Sequence, residues 1–294
     1  MLKTYMMQKR EKIDEVIGEH LDKLKYPAVI AEGMRYSVLN GGKRLRPMLL
    51  LMTLEALGAD ESLGYSTATA IEMIHSYSLV HDDLPALDND DYRRGKLTTH
   101  KKYGEAEAIL IGDALLTHSF NVVSAGNMHL SGDKIAKLVA LTSEYAGVNG
   151  MIGGQMVDIE SEGKEIELPI LQYIHTHKTG MMIKLPVEAA CIIGEADAET
   201  TAKLTEYSEL IGLAFQIKDD ILDVEGEFEK LGKPVGSDEE LQKSTYPQIF
   251  GMERAKEILE EKIDRAKTVA VEALGEERAA IFVELADYIG KRDN

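Results

Sequence analysis

The chain has no tryptophan, a single cysteine, seven prolines and five phenylalanines in 294 residues. A lone thiol excludes an internal disulfide, and Cys191, set in the small apolar run AACIIG, reads as inert packing. The scarcity of proline and the lack of tryptophan suit a helical protein. No run of about 18 apolar residues stands out. The opening MLKTYMMQKREKIDEVI is charged and amphipathic rather than signal-like, so a cytoplasmic protein with no membrane span is expected. Positive charge is also short. Lys and Arg number 33 against 51 Asp and Glu, a net charge of −18, which leaves no basic stripe for nucleic acid. An anionic substrate is not excluded, because local cations and metals set the field at a site.

What the chain has is acid, in two places. His75 to Lys96 reads HSYSLVHDDLPALDNDDYRRGK, with Asp82, Asp83, Asp88, Asp90 and Asp91 followed at once by Arg93, Arg94 and Lys96. Ile71, Ile74, Ser78 and Leu79 recur at helical spacing before it, so an apolar-faced helix runs into the acid pair. His75 and Asp82, two turns apart, share a face at about 10 Å along the axis. On an ideal helix Asp82 and Asp88 diverge, so both reach one ion only if the chain bends near Pro85. The second cluster is FQIKDDILD, Phe215 to Asp223, where Asp219 and Asp223 lie one turn apart on one face and Gln216 one turn before Asp220. Solvated helix ends explain one such cluster easily. Two adjacent-Asp pairs, each followed by a further Asp and each in an apolar helix, are costly to bury without cations.

Hard oxygen ligands with no neighbouring cysteine, and no second histidine beside His81, point to Mg²⁺, and Mn²⁺ also fits. An EF-hand reading from Asp88 fails, since Arg93 falls where that loop needs Gly and Thr99 where it needs Glu. Cations are distributed to match. Lys43, Arg44 and Arg46 follow Gly41-Gly42, and a double glycine lets backbone approach a ligand, although solvated cations beside a turn are commoner. Lys178-Thr179-Gly180 sits within an apolar helix, where a Lys needs an anion or snorkels out and Gly180 weakens the helix. Gln155 and Asp158 read equally as pocket polars or satisfied core polars. Residues 224–246, with Lys233 among them, read as a polar lid. Helices are expected near 1–19, 27–39, 43–54, 66–84, 104–125, 133–147 with GVNGMIGGQMVDIE continuing it, 170–193, 199–223, 252–274 and 276–289. There is no convincing strand, no linker and no repeat, so residues 1–294 read as one domain. Acid clusters facing each other among apolar walls fit a polyphosphate head on a hydrocarbon tail, with metals stabilising a leaving diphosphate. No activated serine or cysteine favours covalent catalysis instead.

The ordered motifs GGKRLRP, HSYSLVHDDLPALDNDDYRRGK, GGQMVDI, HKTG, FQIKDDILD and GKPVGSD resemble those of the trans-isoprenyl diphosphate synthases, most closely the bacterial farnesyl diphosphate synthases. The resemblance spans nearly the whole chain. It implies an all-α, single-domain helical bundle around a large central cavity, of the isoprenoid synthase type, usually homodimeric. The implied reaction is condensation of isopentenyl diphosphate with an allylic diphosphate. It also implies that Asp82, Asp88 and Asp219 bind Mg²⁺, three ions with substrate present, supported by Asp83 and Asp223. By the same resemblance Arg93, Lys178 and Lys233 hold the allylic diphosphate. Lys43, Arg46, His75 and Arg94 hold isopentenyl diphosphate, while Thr179 and Gln216 stabilise positive charge at the reaction centre. Leu97 departs from the family, which often has Pro after RRGK, and bears on loop stiffness rather than chemistry. Arg292 in the terminal KRDN is expected to help close the site.

Product length follows from a ruler argument. Tyr77, with Ser78 after it, lies about 7.5 Å before Asp82 along the helix, where a ring can floor the tail. It reads equally as core packing. In the resembling family this arrangement goes with a C15 product. The alternatives are a geranylgeranyl or geranyl diphosphate synthase and a non-catalytic subunit of a two-chain prenyltransferase. A terpene cyclase would carry an Asn/Ser/Glu metal motif at the second cluster.

Overall fold

The computed structural model describes residues 2–225 and 244–292. Helices dominate as expected, and the chain divides into two compact units, each described by itself. The first is Lys3–Thr142 with Ile192–Gly194, the second Ser143–Cys191 with Glu195–Asn294.

The first unit contains α1 (Leu2–Leu21), α2 (Ala28–Leu39), α3 (Leu45–Ala56), α4 (Tyr65–Asp82), the short α5 (Thr99–Tyr103), α6 (Glu105–Ala125) and the start of α7 (Gly132–Ala146). Its core element is α4, whose residues from Thr67 to Ile74 are buried all round, and α6 packs along it. α6 is long and apolar enough to cross a membrane by length and composition alone, with a mean hydropathy of 1.3. Glu105, Glu107 and Asp113 interrupt its apolar run. Its buried residues, Ala108, Ile111, Gly112, Leu115, Ser119 and Val122, form one stripe at helical spacing, as in a core helix.

One element was not expected. Tyr92–Arg93 and Lys96–Leu97 form a two-residue-loop hairpin, β1 and β2, with Arg93 opposite Lys96. Arg94 (φ 54) and Gly95 (φ 75) turn it, the positive-φ pair that matches strand twist. Two-residue strands are too short to show alternation, so sequence patterning could not reveal them.

The second unit contains α8 (Met151–Ser161), α9 (Leu168–Ile174), α10 (Met181–Gly194), α11 (Ala198–Glu225), α12 (Tyr246–Phe250), α13 (Met252–Leu274) and α14 (Glu276–Lys291). The helix expected over 170–193 is three pieces, because His175–Gly180 winds as a π-helix between α9 and α10. α11 packs against α13 and against this π segment.

Candidate active site

In the first unit the end of α4 builds the acid group. Asp83 N–H still bonds Leu79 O, and Leu84 N–H bonds His81 O, but Pro85 has no N–H to continue the helix. The chain then folds back, with Asp88 N–H donating to Asp82 O at 2.9 Å and Asn89 N–H to Leu84 O at 3.1 Å. Asn89 takes φ 53, which asparagine tolerates. No bent helix is needed: helix termination and a turn bring the Asp88 backbone to Asp82. Asp82 is half-buried and Asp88 exposed, whereas Asp83 is buried and held by Arg93 through Nε at 2.7 Å and Nη2 at 2.5 Å. Burial raises the Asp83 carboxyl despite that guanidinium. Arg93 therefore braces the carboxylate turn.

The cation group surrounds Gly41-Gly42. The Arg94 guanidinium donates to Gly41 O, and a Cβ on Gly42 (φ 120) would lie 2.6 Å from Arg94 Nη1. The positive φ calls for glycine there, and the open Cβ position is where the guanidinium lies. Arg46, in the first turn of α3, has a buried Nε with no hydrogen-bond partner among the described residues. Burial pulls it down to about 10, Glu72 opposing and Arg94 adding. His75 is held well below its ordinary value by burial and by Arg46, Arg94, Arg44 and Arg93, so it is neutral. Arg46 and Arg94 are positive groups short of counter-charge, as an anion site requires. Lys43 is exposed beside them.

Arg44, between those cations, has another task. Its side chain is 0% exposed and bonds Asp14 Oδ1 at 2.6 Å, Glu72 Oε1 at 2.7 Å and Val38 O at 2.7 Å. It locks the Gly41-Gly42 turn to α1, α2 and α4. Sequence reasoning missed this role, since Asp14 and Glu72 are remote in the chain.

Tyr77 is buried, its hydroxyl without a hydrogen-bond partner among the described residues, and its ring meets His81 edge-on at 5.7 Å. Burial, then Asp82, raises its hydroxyl to about 12. α6 makes room for His81 at Gly112, where a Cβ would lie 2.1 Å from Nε2. Ser78 donates to His75 O.

In the second unit a pocket of about 410 Å³ is lined by Asp158, His175, Lys178, Gln216, Asp219 and Asp220, with Ile174 and Leu171. Two close approaches build it. A Cβ on Gly154 would lie 2.2 Å from Lys178 N, so only glycine lets α8 meet the π segment; one turn on, Asp158 Oδ2 takes Lys178 Nζ at 2.7 Å. Gly212 faces Gly180 Cα, its Cβ position 3.3 Å away. Gln216, Asp219 and Asp223 follow Gly212 at spacings of four, three and four, one stripe along α11. Thr179 is half-buried in the π segment, and Gln216 Nε2 donates to Asp219 Oδ2 at 3.3 Å.

Asp220 is buried and accepts the Tyr246 N–H at 2.9 Å. His175 stacks on Tyr246 with centroids 5.6 Å apart. Burial pulls His175 to about 4, so its 3.7 Å approach to Asp220 is a contact of a neutral ring rather than an ion pair. His175 and Tyr246 were not singled out in the sequence, though His175 opens the HTHKTG run. Arg292 does reach the site, its Nη2 2.6 Å from Asp219 Oδ1. Lys233 and most of the expected lid lie outside the described residues.

Residues 27–278 match the polyprenyl synthetase family model. A farnesyl diphosphate synthase of Geobacillus stearothermophilus is 46% identical over 267 residues, 90% of each chain. One from Bacillus subtilis (strain 168) is 42% identical over 294 residues, 100% of this chain and 99% of that one. A crystal structure of an FPP/GFPP synthase from Zymomonas mobilis, in its apo form, shares 34% identity and a TM-score of 0.87 over 98% of each chain. With its helical fold, its paired aspartates and its family model agreeing over most of its length, the chain belongs to the polyprenyl synthetase family.

Proposed function

We propose that the protein joins isopentenyl diphosphate to dimethylallyl diphosphate and then to geranyl diphosphate, releasing diphosphate at each step and ending at (2E,6E)-farnesyl diphosphate. The observation that carries this reading is the first unit's pairing of an aspartate turn, Asp82 to Asp88, with under-neutralised Arg46 and Arg94 around a glycine turn. The bacterial relatives, named farnesyl diphosphate synthases at 42% and 46% identity, support the C15 product.

Asp82, Asp88, Asp219 and Asp223 offer only carboxylate oxygen, the donor set of a hard divalent cation, and Asp219 already accepts a cationic side chain. These residues would hold Mg²⁺. When bound, it supplies charge neutralisation of the leaving diphosphate. In the proposal Lys178 and Arg93 bind the allylic diphosphate, and Lys43, Arg46, Arg94 and neutral His75 bind isopentenyl diphosphate. The allylic C–O bond breaks with its electron pair going to diphosphate. The isopentenyl π pair then forms the new C–C bond, and a proton passes from the adjacent carbon to the departing diphosphate. The Gln216 and Thr179 oxygens face the positive charge, and Tyr77 floors the tail channel. The family resemblance supports a cytoplasmic homodimer. Light scattering should then give twice the 32.5 kDa chain mass.

The test is incubation with both five-carbon diphosphates and Mg²⁺, followed by product sizing. C15 is expected, with no turnover in chelator. A C10 or C20 end product overturns the length assignment, and no condensation at all overturns the function.

A further inference from the structure

Arg292 follows the last turn of α14 in extended backbone, its side chain 5% exposed. Nη2 donates both to Asp219 Oδ1 at 2.6 Å and to Phe215 O at 2.9 Å, and the guanidinium lies 3.8 Å from the Phe215 ring centroid. Its Nε is buried with no hydrogen-bond partner among the described residues. The grip on Asp219 is therefore one nitrogen on one oxygen, not the two-pronged fork that makes such pairs durable. The carboxylate it holds is 41% exposed and lines the 410 Å³ pocket.

We propose that Arg292 is a positioning residue that reserves Asp219: it neutralises the carboxylate until a divalent cation replaces it. Metal loading of the second acid cluster and release of the C-terminal end of α14 are then one exchange. The proposal rests on Asp219 being a metal ligand. A divalent ion that takes Oδ1 competes with the guanidinium for that oxygen, and the two positive charges repel at that separation. The Phe215 carbonyl and phenyl face give the released arginine contacts to return to, which makes the exchange reversible. An internal competitor weakens apparent affinity by the fraction of time the ligand is free. A pair closed about 80% of the time costs about five-fold.

The test is Mn²⁺ binding to the full-length protein without substrate, read as loss of the free-ion electron paramagnetic signal. Arg292→Gln should bind Mn²⁺ about five-fold more tightly than the parent. Arg292→Lys should fall between them. Unchanged or weaker binding in Arg292→Gln overturns the exchange. Asp219→Asn separates the two levels. If it leaves Mn²⁺ affinity intact, Asp219 is not a ligand and both readings fail; if it weakens Mn²⁺ while Arg292→Gln changes nothing, only the exchange fails. A second measurement needs no variant: amide hydrogen exchange in the last turn of α14, Asp287 to Lys291, should accelerate when Mn²⁺ saturates the protein. Unaltered exchange there overturns the proposal.

Discussion

Two arginines two residues apart should respond in opposite ways to the same substitution. Arg44 and Glu72 are a buried ion pair, with side chains 0% and 2% exposed, and Arg44 also satisfies Asp14 and the Val38 carbonyl. Arg44→Met strands the Glu72 carboxylate in the core. Removing one partner of a buried pair costs about 3–5 kcal/mol, and the lost carbonyl bond adds about 1 kcal/mol. Adding Glu72→Gln removes the stranded charge and should recover most of the loss. Arg46 has no such partner, since its Nε is unbonded and burial pulls it down to about 10. Arg46→Met should leave the urea midpoint within about 0.5 kcal/mol of the parent or raise it. It should also raise KM for isopentenyl diphosphate at least about ten-fold, the worth of one charge-assisted hydrogen bond. Urea titration and steady-state kinetics on the three variants decide it. Arg44→Met with parental stability and a raised KM would refute the assignment of Arg44 to structure.

Three other outcomes are expected. Tyr77→Ala should lengthen the product past C15 on chromatography; a product still confined to C15 means the ring is core packing only. Gly154→Val drives its side chain into the backbone of Lys178, whose N lies 2.2 Å from the Cβ position, so KM for the allylic diphosphate should rise while that for isopentenyl diphosphate holds. Acid sensitivity should be traceable to His175, faced by Asp158, Lys178, Asp220 and Tyr246. Burial lowers it from 6.5 to about 4, so the unfolded chain takes a proton that the folded chain refuses. Its contribution is intact above pH 6.5 and falls as pH drops toward 4, by about 3 kcal/mol in all. Metal-free His175→Asn should lose that slope, measured as the change in urea midpoint between pH 7 and 4.5 relative to the parent. His75, held low in the same direction, is common to both proteins.

Local pattern carries a great deal here. Periodic apolar residues fix the helices, glycine pairs and Pro85 fix where they stop, and two acid clusters with nearby cations point to metal and diphosphate chemistry, because each signal is written within a few turns of one segment. What the chain order could not decide is which partner each charged group takes. Arg44 and Arg46 look alike in KRLRP, yet only packing brings Asp14 and Glu72 to one and leaves the other short of counter-charge. The π segment that interrupts the helix at His175–Gly180, packed against Gly154 and Gly212, and the arginine on Asp219 are decided in the same way. Each depends on contacts between residues far apart in sequence, whose energies appear only once backbones are close enough to exclude water.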